Sequence, residues 1–301
     1  MLPCSRVLAM GGGRVIAVVG DVHGSWNSSV DEQALRHINP DLVLFTGDFG
    51  NEDVELVEEV SKLDMAKAVI LGNHDCWYSG RYASKTSSAV LQQHRLLGES
   101  HVGFKRLEFP GLKISVVGSR PFSMGGPRKA FFGFPYCKEM YGIHSLEESA
   151  TKISELALGA PKEHAIIVLG HNGPTGLGSS PDDICGRDFD PGAGDHGDPD
   201  LEEALKSCEG KCEIPLVVFG HMHKELLCGG ERKMTAVGSN GTVYVNGAVV
   251  PRERSKSSER AFTVVTLADD NRVDKVTETW VRIKGKQVDT VAESVLFPLD
   301  E

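Results

Sequence analysis

No stretch of this 301-residue chain approaches the roughly 20 consecutive apolar residues that a membrane span needs. Its opening, MLPCSRVLAMGGG, is too short for the three-part pattern of a secretory leader. Positive charge is also scarce. With 32 Lys and Arg against 42 Asp and Glu, the formal net charge is -10, which argues against a nucleic-acid groove because phosphate-backbone affinity rests on clustered cations. Cysteine is sparse and irregularly spaced, and an odd total of seven does not read as a secreted disulfide framework and favours a reducing compartment. Cys208 and Cys212 are close in sequence, but no second Cys/His pair with zinc-finger spacing follows them. What remains, 40% hydrophobic and 25% charged, is ordinary globular composition, sufficient for one large α/β domain or two smaller ones.

Short β-rich runs that end in glycine recur along the chain: 14–20, 42–47, 67–72, 112–118, 164–170 and 214–220. Apolar runs without alternation suit strands buried on both faces. Between them lie helical patterns. Val30, Ala34 and Ile38 follow a Ser29/Glu32 capping box, Leu56, Val60 and Leu63 form a second stripe, and Leu146, Ala150, Ile153 and Ala157 follow a Ser145/Glu148 box. Alternating strand and helix predicts a layered α/β domain. After residue 223 the runs 234–237, 242–249, 261–267 and 275–283 read as strands with little helical periodicity, which predicts a second, largely antiparallel sheet. The segments 121–135 and 172–200 read as irregular, the latter dense in Gly, Asp and Pro, and long loops of that kind are commonly functional.

Five of the strand-end glycines are followed by metal-binding side chains: Asp21 and His23 after Gly20, Asp48 after Gly47, Asn73-His74-Asp75 after Gly72, His171 after Gly170, and His221 and His223 after Gly220. Ligands at the carboxyl ends of strands can converge on one crevice. A lone Asp-x-His triplet or a lone His-x-His pair means little, because alternation puts either on one face of any strand. The conjunction decides the reading, since burying so many carboxylates and imidazoles without a cation costs several kcal/mol per charge.

Taken in order, Asp21-Val22-His23, Gly47-Asp48, Gly72-Asn73-His74-Asp75, Gly170-His171 and Gly220-His221-Met222-His223 resemble the motifs of calcineurin-like metallophosphoesterases over roughly residues 14–250. The resemblance implies an α/β fold, a four-layer α/β/β/α sandwich with two central mixed sheets. It assigns Asp21, His23, Asp48 and His223 to one divalent metal ion, and Asp48, Asn73, His171 and His221 to a second. Manganese, iron, zinc and cobalt all suit such mixed oxygen and nitrogen ligands. The implied chemistry is phosphoester hydrolysis by a metal-bridging hydroxide, with His74 stabilising transition-state charge or protonating the leaving oxygen, assisted by Asp75 and Asn51. The expected domain plan is a flexible segment 1–13, a single domain 14–284 with 172–200 as an active-site loop, and a tail 285–301.

Departures from relatives narrow the class. Protein serine/threonine phosphatases continue after Gly-Asp with Asp-Arg-Gly, whereas this chain reads Gly47-Asp48-Phe49-Gly50-Asn51-Glu52, and purple acid phosphatases place a tyrosine ligand where Asn51 stands. Many relatives have Asp there, and the neutral Asn51 raises the basicity of the histidine less. The pattern is most similar to small-molecule phosphatase and phosphodiesterase branches and to a subgroup found in plants and cyanobacteria. The expected substrate is accordingly a phosphomonoester, phosphodiester or pyrophosphate of a small metabolite or nucleotide, with neither nucleic acid nor membrane as partner, in a cytoplasm or plastid stroma. Arg120, Arg128, Arg187 and His196 are the candidate substrate contacts, because arginine forks match phosphate oxygens. A non-catalytic metal-binding scaffold and a nuclease are the competing readings, and Cys76, beside Asp75, is a candidate redox-sensitive thiol.

Overall fold

A computed structural model describes residues 13–80, 87–126, 132–190, 192, 194–254 and 258–298. Arg128 and nearly all of the segment 1–13 lie outside the described residues. The first sheet contains β1 (Arg14–Val19), β2 (Leu42–Phe45) and β3 (Lys67–Val69), all parallel. The second contains β4 (Arg106–Phe109), β5 (Ile114–Gly118), β6 (Ala165–Leu169), β7 (Leu216–Phe219), β8 (Thr235–Val237) and β9 (Val243–Asn246), in the order β4-β5-β6-β7-β9-β8. The remaining strands, β10 (Arg252–Glu253), β11 (Glu259–Leu267), β12 (Val273–Lys284) and β13 (Gln287–Phe297), return to the first sheet, giving the order β13-β12-β11-β1-β2-β3 with β10 against β11.

Side-chain alternation explains the layering. In the first sheet Ala17, Val19, Val43 and Phe45 pack under three helices, α1 (Ser28–Ile38), α2 (Val54–Ser61) and α3 (Ser88–Leu97). Their neighbours Ile16, Val18, Leu42 and Leu44 face the other way, against Ile167, Leu169, Leu216 and Val218 of the second sheet. The second sheet in turn offers Ile166, Val168, Val217 and Phe219 to α5 (Leu146–Leu158) and α6 (Pro199–Cys208), with α4 (Phe134–Tyr141) beside them. A strand buried on both faces has no polar side to expose, which is why these runs read as continuously apolar. Helix, sheet, sheet and helix therefore stack as four layers, and both sheets are mixed.

Three expectations need correction. The strands after residue 223 do not form a sheet of their own: β8 and β9 extend the second sheet, while β10 to β13 pair antiparallel beside β1. The expected tail 285–301 supplies β13, whose mixture of half-buried and exposed residues is that of an edge strand. At α1 the cap is Asn27, not Ser29: its side chain accepts from Val30 N, and its own amide donates to Asp31 Oδ2 at 2.6 Å. Ser145 does cap α5, accepting from Glu148 N at 3.1 Å.

Candidate metal centre

The carboxyl ends of β1, β2, β6 and β7 meet where the two sheets abut. Asp21 N donates to Gly47 O at 2.9 Å, His23 N to Asp48 O at 3.0 Å and His221 N to Asp21 Oδ1 at 2.9 Å. Four of the seven expected ligands, Asp21, His23, Asp48 and His221, adopt left-handed backbone with φ of 53°, 44°, 56° and 67°. That conformation costs a non-glycine residue roughly 1 kcal/mol or more, and such strain concentrates at functional sites. Tight turns at the strand ends aim these side chains inward, and Gly72 makes room for them. A Cβ there would lie 2.3 Å from Asp48 Oδ1 and 2.5 Å from His171 Cε1.

The side chains form two adjoining triads. Potential ligand atoms of Asp21, His23 and His223 lie within 4.8 Å of one another, as do those of Asp48, His171 and His221, and His23, Asp48 and His74 connect the two groups at the same spacing. Asn73 joins the second triad through its Oδ1, 2.8 Å from His171 Nε2. Asp21, His23, Asp48 and Asn73 come from the first sheet, and His171, His221 and His223 from the second.

Whether a cation fits can be read from which atoms face each other. His171 Nδ1 lies 2.7 Å from Thr46 O, a carbonyl that can only accept, so Nδ1 carries the proton and Nε2 presents a lone pair. That lone pair faces the amide oxygen of Asn73 at 2.8 Å and Asp48 Oδ1 at 3.4 Å, an arrangement of acceptors that a positive ion would satisfy. His23 Nε2 and His223 Nε2 approach to 3.2 Å, close enough to share an ion or to hydrogen-bond to each other. Electrostatics points the same way. Burial pushes the Asp21 carboxyl up to about 8 and Asp48 well above its ordinary range, while it holds His23 down to about 4, His171 to about 3 and His221 well below its usual value. Both kinds of charge are disfavoured by the same dehydrated environment, and only a cation stabilises deprotonated carboxylates and neutral imidazoles together. Oxygen and imidazole donors of this kind suit a first-row divalent metal.

A profile of the calcineurin-like phosphoesterases matches residues 14–225, well over half of the chain. The chain belongs to the calcineurin-like phosphoesterase family. Similarity to solved structures is broad and distant. The structure of TT1561 of Thermus thermophilus aligns over 93% of this chain and 98% of its own, at 13% identity and a TM-score of 0.43. The phosphopantetheinyl hydrolase PptH of Mycobacterium tuberculosis aligns over 79% and 89%, at 13% identity and a TM-score of 0.43. The sulfate thiohydrolase SoxB of Thermus thermophilus aligns over 95% and 59%, at 11% identity and a TM-score of 0.47. No curated protein sequence matches the chain. Among the described residues, no helix of this calcineurin-like phosphoesterase is long and apolar enough to cross a membrane.

Around the triads of this phosphoesterase, the other expected site residues divide. His74 Nδ1 lies 2.6 Å from Asn51 Oδ1, its Nε2 is 4.0 Å from Asp48 Oδ2, and its ring stacks on Trp77 with centroids 4.2 Å apart. Asp75 is not a catalytic group. It is fully buried, and its oxygens accept from the backbone amides of Asp48 at 2.9 Å, Phe49 at 3.0 Å and Gly72 at 2.7 Å, so it ties together the two loops that carry Asp48 and Asn73. Arg120 is not a substrate contact either. Only 1% exposed, its guanidinium is held by Asp198 and Asp200, each at 2.8 Å, and charge pairing of this kind keeps the group inside. His196 is 3% exposed, with Nε2 2.9 Å from Met124 O and its ring stacked on His221, so it buttresses that residue and does not open to a ligand. Arg187 engages Asp190 at 3.4 Å within the 172–200 loop. Cys76 is fully buried and burial pushes its thiol well up, which leaves no reactive thiolate for redox chemistry.

Several residues that shape the site went unremarked in the sequence. Thr46 orients His171 through its carbonyl. Asn246 on β9 donates from Nδ2 to Met222 O at 2.7 Å, and Arg232 donates from Nε to His223 O at 2.9 Å, so both brace the His221–His223 turn. Thr46 could have been found by its place directly before Gly47-Asp48. Asn246 and Arg232 act on backbone carbonyls from distant segments, and no local pattern marks them.

Proposed function

We propose that this calcineurin-like phosphoesterase hydrolyses phosphomonoesters, phosphodiesters or pyrophosphates of small metabolites at a pair of divalent metal ions. Asp21, His23, Asp48 and His223 would hold one ion, and Asp48, Asn73, His171 and His221 the other. The observation that carries this reading is the set of facing acceptors, His171 Nε2 against Asn73 Oδ1 and Asp48 Oδ1, with the Asp21, His23 and His223 triad beside it. When bound, the metal pair supplies a water activated for in-line attack and screening of the phosphoryl oxygens.

The chain's own groups do the rest. Asp48 lies between the triads and would be shared by both ions. His74 donates its Nδ1 proton to Asn51 Oδ1, which fixes the ring and turns Nε2 toward the cluster. Burial holds the His74 imidazole below its usual value, and a substrate phosphate beside Nε2 would offset that, so the protonated ring can donate to the departing oxygen. Trp77 supports the opposite ring face and limits its rotation. Arg187 is the described candidate for a substrate-phosphate contact, and Arg128 a further one.

The test is turnover of p-nitrophenyl phosphate and bis(p-nitrophenyl) phosphate with manganese, together with metal content, in the wild type and in Asp48→Asn. The expected result is metal-dependent release of p-nitrophenol that falls by about 10²-fold or more in the variant, as for loss of a group that positions the reacting atoms. Turnover indifferent to chelation and to Asp48→Asn would sink the reading. Normal metal content without turnover would favour the scaffold, and metal-dependent cleavage confined to a single-stranded oligonucleotide would favour the nuclease.

A further inference from the structure

We infer that Glu52 is a positioning residue that clamps the turn carrying His74 against Asn51 and thereby sets the aim of the His74 imidazole. The inference rests on the reading of His74 as the proton donor. Glu52 follows Asn51 directly and sits in left-handed backbone with φ of 56°, a conformation that a side chain of this size adopts only when its surroundings hold it there. Its bonds supply that hold. The Glu52 amide donates to His74 O at 2.9 Å, at the start of the short 3₁₀ turn His74–Cys76. Its carboxylate reaches the residues that follow this turn, where Oε1 accepts from Tyr78 N at 3.1 Å, Ser79 N at 2.9 Å and Ser79 Oγ at 2.5 Å. Oε2 accepts from Ser87 Oγ at 2.9 Å.

One residue therefore brackets the segment 74–79 from both ends while its neighbour Asn51 meets His74 Nδ1 at 2.6 Å. The latch is itself anchored. Tyr136 donates its hydroxyl proton to Ser79 Oγ at 2.6 Å and accepts from Ser87 N at 2.9 Å, and its ring is buried in the core beneath the first sheet. A charged acceptor with four donors makes hydrogen bonds about twice as strong as neutral ones, so the loop bearing Asn51 and the turn bearing His74 move as one body. Without the carboxylate, the backbone at position 52 has no reason to stay left-handed. Asn51 would then turn away, and the ring on Trp77 would lose the partner that fixes its rotation.

The experiment uses manganese-loaded and chelated full-length chain as wild type, Glu52→Ala, Glu52→Gln and Ser79→Ala. Two readouts are taken: the His74 Nδ1–H resonance in chelated ¹⁵N-histidine-labelled protein, free of broadening by paramagnetic manganese, and kcat and KM of the manganese-loaded protein for p-nitrophenyl phosphate beside an alkyl phosphate. A poor alkoxide leaving group needs its proton donor aligned, whereas p-nitrophenolate departs without one. Glu52→Ala is expected to erase the hydrogen-bonded Nδ1–H resonance. It should lower kcat on the alkyl phosphate roughly 10-fold more than on p-nitrophenyl phosphate, with KM and bound manganese unchanged. Glu52→Gln keeps an oxygen for the two backbone amides and should recover most of both signals, and Ser79→Ala should fall between. An intact Nδ1–H resonance in Glu52→Ala would overturn the inference, as would equal losses on both esters. Should the wild type hydrolyse neither ester, the phosphoesterase reading fails by itself while the resonance still decides whether Glu52 holds the ring. If Glu52→Ala does not fold, Ser79→Ala carries the same comparison.

Discussion

At the scale of single residues, the site depends as much on what is small or hidden as on the ligands themselves. Gly72 has a backbone that any residue can adopt, so the cost of enlarging it is purely steric and falls on Asp48 and His171. Gly72→Ala is expected to fold, to bind less manganese and to lose about 10²-fold in kcat/KM, since displacements near 1 Å at reacting groups cost that much. Metal analysis beside far-UV circular dichroism checks it, and full metal occupancy in the variant would refute it. Arg120 makes the opposite case. Removing its guanidinium leaves Asp198 and Asp200 buried at 1% and 2% exposure with one fewer cation between them. Asp198 is raised to about 6 by burial even with Arg120 present. Arg120→Met should therefore lower unfolding free energy by about 3–5 kcal/mol, as for other broken buried pairs. A denaturant midpoint within experimental error of the wild type would refute this structural role.

Helices and strands show where local pattern suffices and where it fails. The Ser145 cap is read correctly because cap, helix start and first acidic turn coincide there, although Glu148 Oε2 accepts from His144 N and not from Ser145 N. At α1 the same rule points to Ser29, but Asn27 lies two residues earlier with its own reciprocal bond to Asp31, and it stops the chain from entering the helix any sooner. Asn27→Ala should accordingly cost about 1 kcal/mol of stability and Ser29→Ala only a few tenths, measurable as a difference in urea midpoints. Equal losses would restore Ser29 as the cap. The strands β1, β2, β6 and β7 are legible because burial on both faces leaves only apolar residues, and the ligands after them are legible because each strand ends at a glycine. Strand β13 is not legible, since an edge strand half open to water tolerates the polar mixture of a tail. Partnership between strands is equally silent. Nothing near Phe262 or Val264 announces that β11 lies beside β1 across more than 240 residues of chain, because pairing of that range is set by the whole packing arrangement.

Considered whole, the molecule places its candidate metal site on the seam between the two sheets, so occupancy and global stability must be linked. Four expected ligands belong to the first sheet and three to the second, and an ion held by both closes the sandwich at that end. The sign of the pH dependence follows from which groups hold protons. In the metal-free chain Asp21 and Asp75 are raised to about 8 and about 7, above the ordinary carboxylate value of 3.8, so the folded state keeps protons that the unfolded state has released. Stability from these groups is lost as pH rises toward those values. His23 and His171, lowered to about 4 and about 3, act in the opposite sense only up to their usual value of 6.5, and above it they are neutral in both states. Between pH 6.5 and 8 the carboxylates alone remain, and the chelated protein should melt at falling temperature across that window. Manganese added to the chain would bind the deprotonated carboxylates, compete with fewer protons as pH rises, and stabilise the fold increasingly. The gap in melting temperature between manganese-saturated and chelated protein is therefore expected to widen steadily from about pH 6.5 to 8. A gap that stays constant or narrows would mean that the buried carboxylates do not exchange their protons for metal, and the seam would then be held by packing alone.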